Sequence, residues 1–137
     1  MANLLIGLKN TATQEVAIDG LIDLGSVYRR YDKKGQCCGL RAFDLTGNGL
    51  TIQQSGIYHI TAIFEATAST TVQLLVNGVV IDGATATGTL PVIDYFVVVD
   101  SGCVLGNTTT IAQTISFQNV ETAGTFDNVI VNVVKEV

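Results

Sequence analysis

Short runs of β-branched residues, separated by turn residues at regular intervals, restrict the possible folds of this sequence most strongly. Between Ile57 and Ala66, Tyr58, Ile60 and Phe64 alternate with the residues of the opposite face, which is the two-residue period of a β-strand. Asn77-Gly78 separates two further runs, and this dipeptide is a strong signal for a hairpin. No stretch of useful length has helical periodicity. We therefore predict an all-β sandwich of about eight to ten strands.

The run from Pro91 to Val99 is apolar on both faces of the predicted strand. Val92, Phe96 and Val98 form one face, and the alternating residues from Ile93 to Val99 form the other. Such a strand is buried on both sides, so we expect one face on the core and the other on a neighbouring subunit. Hydrophobic residues make up 47% of the chain, but their runs fall short of the roughly 18 residues that a membrane-spanning helix needs. A tight sandwich of Ala- and Val-rich strands is the alternative to an oligomer.

Basic residues are concentrated near the N-terminus. Six of the seven Lys and Arg residues fall within the first 41 positions, and none lies between Ala42 and Val134. This asymmetry predicts that one end docks on an acidic partner, with Arg29, Arg30, Lys33 and Lys34 as the docking residues. A solvated loop is the alternative for these four residues. The net charge of −5 and the lack of an aromatic platform argue against nucleic acid.

No catalytic or cofactor constellation can be assembled from the sequence. His59 is the only histidine, and the three cysteines, Cys37, Cys38 and Cys103, show no metal-binding spacing. A bridge from Cys37 or Cys38 to Cys103 and free thiols both stay open. We predict that the chain is not an enzyme and binds no cofactor or metal through these residues. Asp94 interrupts the apolar run, and it is expected to serve at a strand edge, with an ion on a symmetry axis as the alternative.

Several segments that alternate like strands lie in a characteristic order: Phe43, Gly49 to Ile52, SGIYHITAIF from Ser55, LLVNGVVI from Leu74 and VIVNVV from Val129. Together they resemble the trimeric jelly roll shared by complement globular heads and tumour-necrosis-factor-like proteins. The resemblance covers about two thirds of the chain and implies a homotrimeric jelly roll. GLIDLGSVYRR, LTGNGLTIQQSGIY and IDGATAT also resemble small virion accessory proteins of bacteriophages and prophages.

Strand parity predicts which residues fill the core and which meet a neighbouring copy. Tyr58, Ile60 and Phe64 should lie in the sandwich core. The predicted trimer-interface residues are Ile57, His59, Thr61, Ile63, Phe96, Ile130 and Val134. Residues 1–35 are predicted to form an N-terminal segment for attachment or inter-subunit contact, and residues 36–137 the jelly-roll domain. Whether the segment folds onto its own subunit or reaches another chain stays open.

The predicted function is that of a non-enzymatic structural virion protein, a trimeric capsid-decoration or head-fibre module. The expected partners are two further copies and, through the N-terminal region, capsid proteins. The start of the chain lacks the basic leader of an export signal, so we expect synthesis in the bacterial host cytoplasm and a final location in the virion. The alternative is a fibre-tip module that binds a host-surface receptor or glycan. Neither nucleic acid nor membrane is an expected partner.

Overall fold

A computed structural model describes residues 4–31, 42–104, 107–110 and 112–137, with residues 101–104 and 107–110 described by their backbone alone. The described residues form antiparallel strands and contain no helix. In chain order the strands are β1 (Leu5–Asn10), β2 (Gln14–Val16), β3 (Ser26–Tyr31), β4 (Phe43–Thr46), β5 (Gly49–Ile52), β6 (Gly56–Ala66), β7 (Thr70–Val76), β8 (Val79–Gly88), β9 (Val92–Val99), β10 (Ser101–Val104), β11 (Asn107–Thr110), β12 (Gln113–Val120) and β13 (Gly124–Lys135).

Eleven of these strands form two sheets that face each other as a sandwich, which confirms the predicted fold class. The six-stranded sheet has the order β3-β1-β13-β6-β9, and β2 pairs with the first residues of β13. The five-stranded sheet has the order β4-β5-β12-β7-β8, while β10 and β11 form a separate hairpin. β9 is therefore an edge strand of its sheet, as expected for the strand that carries Asp94.

The core lies between the two sheets and is built around aromatic residues. Phe64 of β6 makes edge-to-face contacts with Phe117 of the opposite sheet and with Phe126, at centroid distances of 5.2 and 6.2 Å. Phe43 and Tyr58 make a similar contact between the sheets at 5.8 Å. All five side chains are essentially inaccessible to solvent. Since Tyr58, Ile60 and Phe64 are all fully buried, the predicted core face of β6 is confirmed.

The described part of the N-terminal segment belongs to the sandwich. β1 lies between β3 and the long strand β13, with Leu5 opposite Val134 and Asn10 opposite Val129. Ile6 and Leu8 are fully buried in the common core. Residues 4–31 thus pack into the same core as the rest of the described chain. Their predicted role in attachment or inter-subunit contact stays a prediction. The predicted boundary between residues 35 and 36 lies outside the described residues.

Both hairpin turns that the sequence indicates are present. Asn77 and Gly78 have φ values of 53° and 77°, the two positive values that a type I′ turn requires. They connect β7 to β8 through the pair Val76 and Val79. Gly47 has a φ of 60° in the turn between β4 and β5. β8 also continues to Gly88, through the Ala/Thr segment that we had not assigned to a strand.

A strap of residues 17–22 closes one end of the sandwich. Its backbone bonds to β12 through Asp19 and Gly20, which pair with Asn119, and through Ile22, which donates to the Phe117 carbonyl over 2.9 Å. The buried Asn119 amide donates to the carbonyls of Val16 and Thr122. Because β2 pairs with β13 of the other sheet, the strap connects the two sheets.

Candidate self-association surface

The outer face of the six-stranded sheet points away from the five-stranded sheet, and it carries every residue predicted for the trimer interface. Alternation in β6 turns Ile57, His59, Thr61 and Ile63 away from the buried Tyr58 and Ile60. The register places neighbouring side chains of β13, β6 and β9 in rows across this face. Two rows are mainly apolar: Val134, His59 and Phe96, and Ile130, Ile63 and Val92. Between them lies a polar row of Asn132, Thr61 and Asp94.

The exposed apolar side chains of this face are concentrated on β9. Phe96 is 55% exposed, Val98 53% and Val92 47%, whereas Ile93, Val97 and Val99 on the other side of β9 are buried. The predicted two-sided apolar character of the strand is therefore real, and one of its two sides faces solvent in the single chain. Clustered exposed apolar residues on a soluble domain are typical of interaction surfaces.

His59 lies at the centre of a polar cluster on the same face. Its ring stacks on Phe96 with a centroid distance of 4.5 Å and an interplanar angle of 13°. The Nε2 atom contacts the Asp94 carboxylate, and the Nδ1 atom lies 3.5 Å from Oε1 of Glu136. Asp94, which interrupts the apolar strand, thus serves as a partner of His59 from the neighbouring strand. The imidazole therefore has a carboxylate near each of its two nitrogens.

The opposite side of the outer face is formed by β1 and β3 and is closed by aromatic and polar contacts. Tyr28 lies so close over Gly7 that a Cβ atom at Gly7 would be 2.7 Å from its ring. The Tyr28 hydroxyl donates to Asn132 Oδ1 over 2.7 Å, and Arg29 donates to the same oxygen over 3.1 Å. The Arg29 guanidinium also lies 5.5 Å from the centre of the Tyr28 ring. Gly7 therefore lets Tyr28 pack flat on the sheet.

The structure describes two of the four residues predicted to dock on a partner. Arg29 is exposed on β3 beside Tyr28, as above. Arg30 is half-buried and donates from its guanidinium to the Phe43 carbonyl, so it connects β3 to β4 of the other sheet. Lys33 and Lys34 lie outside the described residues. The role of these four residues in attachment stays a prediction, and Arg30 has in addition a structural role that sequence reasoning missed.

Sequence reasoning also missed several members of the outer face. Val92 and Val98 had been placed opposite the core side of their strand but not assigned to the interface, and the pairing of Asp94 with His59 was not predicted. This pairing depends on the register between β6 and β9, in which His59 is opposite Phe96 and Thr61 is opposite Asp94. A register between strands 35 residues apart leaves no local signal in the sequence.

The polar partners of His59 limit the chemistry that its ring can support among the described residues. Both polar partners of His59 among the described residues are carboxylates, so no described hydroxyl or thiol is activated by its ring. Within the described ranges, no group of three His, Cys, Asp or Glu side chains is arranged to hold a metal ion, and no helix is long and apolar enough to cross a membrane. Cys37 and Cys38 lie outside the described residues, and Cys103 is described by its backbone alone.

Comparison with solved structures identifies which kind of β-sandwich the chain forms. The globular domain of zebrafish complement 1qA matches with a TM-score of 0.61 at 7% identity, over 98% of both chains. Eiger TNF from S. frugiperda matches with a TM-score of 0.61 at 9% identity, over 99% of this chain and 92% of that one. Murine APRIL matches with a TM-score of 0.54 at 10% identity, over 97% and 98%. The chain has the jelly-roll fold of these domains.

The structural likeness covers nearly the whole chain and extends the resemblance seen in the sequence. The strands from Leu5 onward are included, whereas the sequence resemblance to this superfamily began near residue 40. No family model matches the sequence, and no curated protein matches it. At identities of 7% to 10%, what is shared is the fold.

Proposed function

We propose that this chain is a non-enzymatic structural domain that acts as a homotrimer, assembled through the outer face of the six-stranded sheet. The observation that carries the proposal is the exposure of Phe96, Val98 and Val92 on β9. Together with the half-buried Ile57, Ile63, Ile130 and Val134 they form apolar rows across three strands, on both sides of the polar row. Burial of such a surface against a second copy removes apolar area from water, which drives association. The superfamily resemblance favours three copies.

Measurement of the mass in solution tests this proposal directly. Size-exclusion chromatography with light scattering should give a mass near three times 14.4 kDa, and a monodisperse monomer would overturn the proposal. The double variant F96S/V98S should dissociate to folded monomers, because it replaces two apolar contacts of the face with hydroxyl groups. V79S is the matched control, since Val79 is 65% exposed on β8 of the other sheet. This variant should keep the mass of the unmodified protein.

We further propose that the trimer is a virion component of a bacteriophage or prophage, either a capsid decoration or a head fibre. The support is the sequence resemblance to small virion accessory proteins, together with the basic residues near the N-terminus. In this proposal Arg29, Lys33 and Lys34 contact an acidic surface of the particle, and synthesis takes place in the bacterial cytoplasm. The acidic remainder of the domain faces outward.

The virion role is tested by the protein content of purified particles. Mass spectrometry of particles from a producing strain should detect the chain, and its absence from complete particles would overturn the role. The variant K33E/K34E should leave the trimer intact but remove it from the particle. Arg29 and Arg30 are kept in this variant, because Arg29 bonds Asn132 on the outer face and Arg30 bonds the Phe43 carbonyl. Adjacency of the gene to a major capsid gene would favour decoration, and adjacency to tail-fibre genes would favour receptor binding.

A fibre-tip module that binds a receptor or glycan is the second candidate. The observation in its favour is the pair of exposed tyrosines on β3, Tyr28 and Tyr31, with Arg29 beside the first. Aromatic rings held in place by a neighbouring cation can stack on a sugar. Binding of the purified protein to host cells that is lost in Y31A would support this role, and unchanged binding would remove Tyr31 from it.

A further inference from the structure

Two acidic side chains on the outer face lie close to His59. Asp94 on β9 and Glu136 just after β13 both approach the imidazole, and their side chains are 63% and 46% exposed. Strand β13 carries the cation Lys135, and its side chain lies against Gly56 of β6. Lys9 of β1 is opposite Ile130, in a different row from His59, and Arg29 of β3 donates to Asn132 Oδ1 in the polar row. Two carboxylates therefore face one imidazole beside this polar row.

The charge of this cluster depends on the proton of His59. With a neutral imidazole the cluster carries two negative charges, and with a protonated imidazole it carries one. In the separate chain, water screens these charges, since all three side chains are partly exposed. When an apolar face is buried against another copy, the same charges lose water, and unpaired buried carboxylates are costly. Protonation of His59 pairs one of the carboxylates and lowers that cost.

We propose that His59, Asp94 and Glu136 make self-association of this face proton-dependent, so that assembly takes up protons and is tighter in mild acid. The proposal rests on the proposed function, because it needs the outer face to be the surface where copies meet. Histidine side chains change charge in the range from about pH 5 to about pH 8, so the effect is sought in that range. By linkage, each proton taken up strengthens association by at most about tenfold per pH unit.

The direction of the pH effect depends on which is larger, the cost of burying a charged imidazole or its attraction to the two carboxylates. Burial alone would disfavour the charged imidazole and would loosen the assembly in acid. Here two carboxylates lie against the ring, one on each nitrogen, and Phe96 covers its face. The attraction between imidazolium and carboxylate grows as water leaves, so the protonated form is favoured in the assembly. Rising pH then releases the proton, leaves two like charges in the interface and loosens it.

The test compares the full chain with H59Q across this pH range. Glutamine can still donate a hydrogen bond to Asp94 but takes up no proton. For the unmodified protein, sedimentation of dilution series and subunit exchange with isotope-labelled copies should show at least about a tenfold gain in association from pH 8 to 6. H59Q should show no gain over the same range. E136Q, which leaves the contact between His59 and Asp94 in place, should keep a smaller gain.

A general effect of net charge is separated by a control on the other sheet. The chain carries −5 at neutral pH and has a sequence pI near 4.5, so any surface association strengthens somewhat in acid. D44N removes one exposed carboxylate from β4 and should keep the full pH dependence. If H59Q and the unmodified protein respond equally to pH, or the unmodified trimer shows no response, the proton-linkage proposal is overturned while the trimer stands. A monomer at every pH would instead overturn the proposed assembly.

Discussion

The outer faces of the two sheets differ in the side chains that they present to solvent. On the five-stranded sheet, polar side chains bond to one another across strands: Thr51 to Thr114 at 2.8 Å, Thr71 to Thr87 at 2.8 Å and Gln73 to Gln118 at 2.7 Å. On the six-stranded sheet, the outward positions of β6, β9 and β13 form apolar rows on both sides of one polar row. Phe96, Val98 and Val92 are each about half exposed there.

This difference indicates which outer face is better suited to remain exposed to solvent. A ladder of threonine and glutamine side chains holds hydroxyl and amide groups in cross-strand pairs while remaining hydrated. Such a face gains little from a partner, because its polar groups would need new hydrogen bonds when water is removed. Exposed Phe96 and Val98 gain from any apolar contact. The comparison therefore favours the six-stranded sheet as the surface that meets another copy.

The largest loss of stability is expected when a phenylalanine in the core between the two sheets is replaced, rather than one on an outer face. Phe64 is fully buried against Phe117 and Phe126, so F64A should lower the free energy of unfolding by about 3–5 kcal/mol. F96A should change the unfolding of the separated chain by much less, because Phe96 is 55% exposed. Urea denaturation of both variants, at protein concentrations low enough for the chains to be separate, measures the contrast. Equal losses would show that Phe96 belongs to the core.

Tyr58 should make the stability of the fold depend on alkaline pH, because its phenol lies on the buried face of β6. Burial raises the pKa of Tyr58 to about 12, above the value near 10 of an unfolded chain. The stability from the neutral phenol is complete below pH 10 and is lost as the pH rises towards 12, by about 3 kcal/mol in all. Unfolding followed between these pH values measures the loss.

Y58F isolates the contribution of that phenol. This variant removes the hydrogen bond that Tyr58 donates to the Gln54 carbonyl over 2.7 Å, and it should be less stable at neutral pH by about 1 kcal/mol. It should also lose stability less steeply between pH 10 and 12 than the unmodified protein. A parallel decline of both proteins would assign the alkaline loss to other groups.

The features that sequence reasoning predicted are those with local causes. The alternation in β6, the Asn77-Gly78 turn and the turn before Gly49 depend on residues within a few positions of each other. The two-sided apolar strand β9 was also visible, because apolar side chains at consecutive positions leave no polar face. These signals were enough for the all-β class and for the core side of β6.

The features that escaped prediction depend on distant pairing or on small side chains. The Ala/Thr stretch after Asp82 carries little apolar bulk, yet it continues β8 because Thr87 and Ala86 pair with Thr71 and Val72 of β7. The place of β1 beside β13 joins segments more than 100 residues apart. The contact of His59 with Asp94 follows from the register of β6 and β9. None of these arrangements is determined by neighbouring residues in the sequence.

The smallest changes in unfolding free energy are expected when a polar residue of one outer face is made apolar, or an apolar residue of the other is made polar. T114V removes the hydroxyl that pairs with Thr51 over 2.8 Å and should cost at most about 1 kcal/mol of unfolding free energy. The loss is limited because Thr51 also lies 3.4 Å from Thr46, and valine suits a strand. The mass in solution should not change, since Thr114 lies on the hydrated face.

I130T makes the reciprocal exchange on the six-stranded sheet. Ile130 is half-buried on the outer face between Lys9 and Ile63, so threonine keeps the β-branched shape and adds a hydroxyl to an apolar row. The monomer should unfold at nearly the same denaturant concentration, whereas the dilution at which the trimer dissociates should move to higher protein concentration. If T114V weakens association and I130T does not, the two faces have been assigned the wrong way round, and the five-stranded sheet is the one that meets a partner.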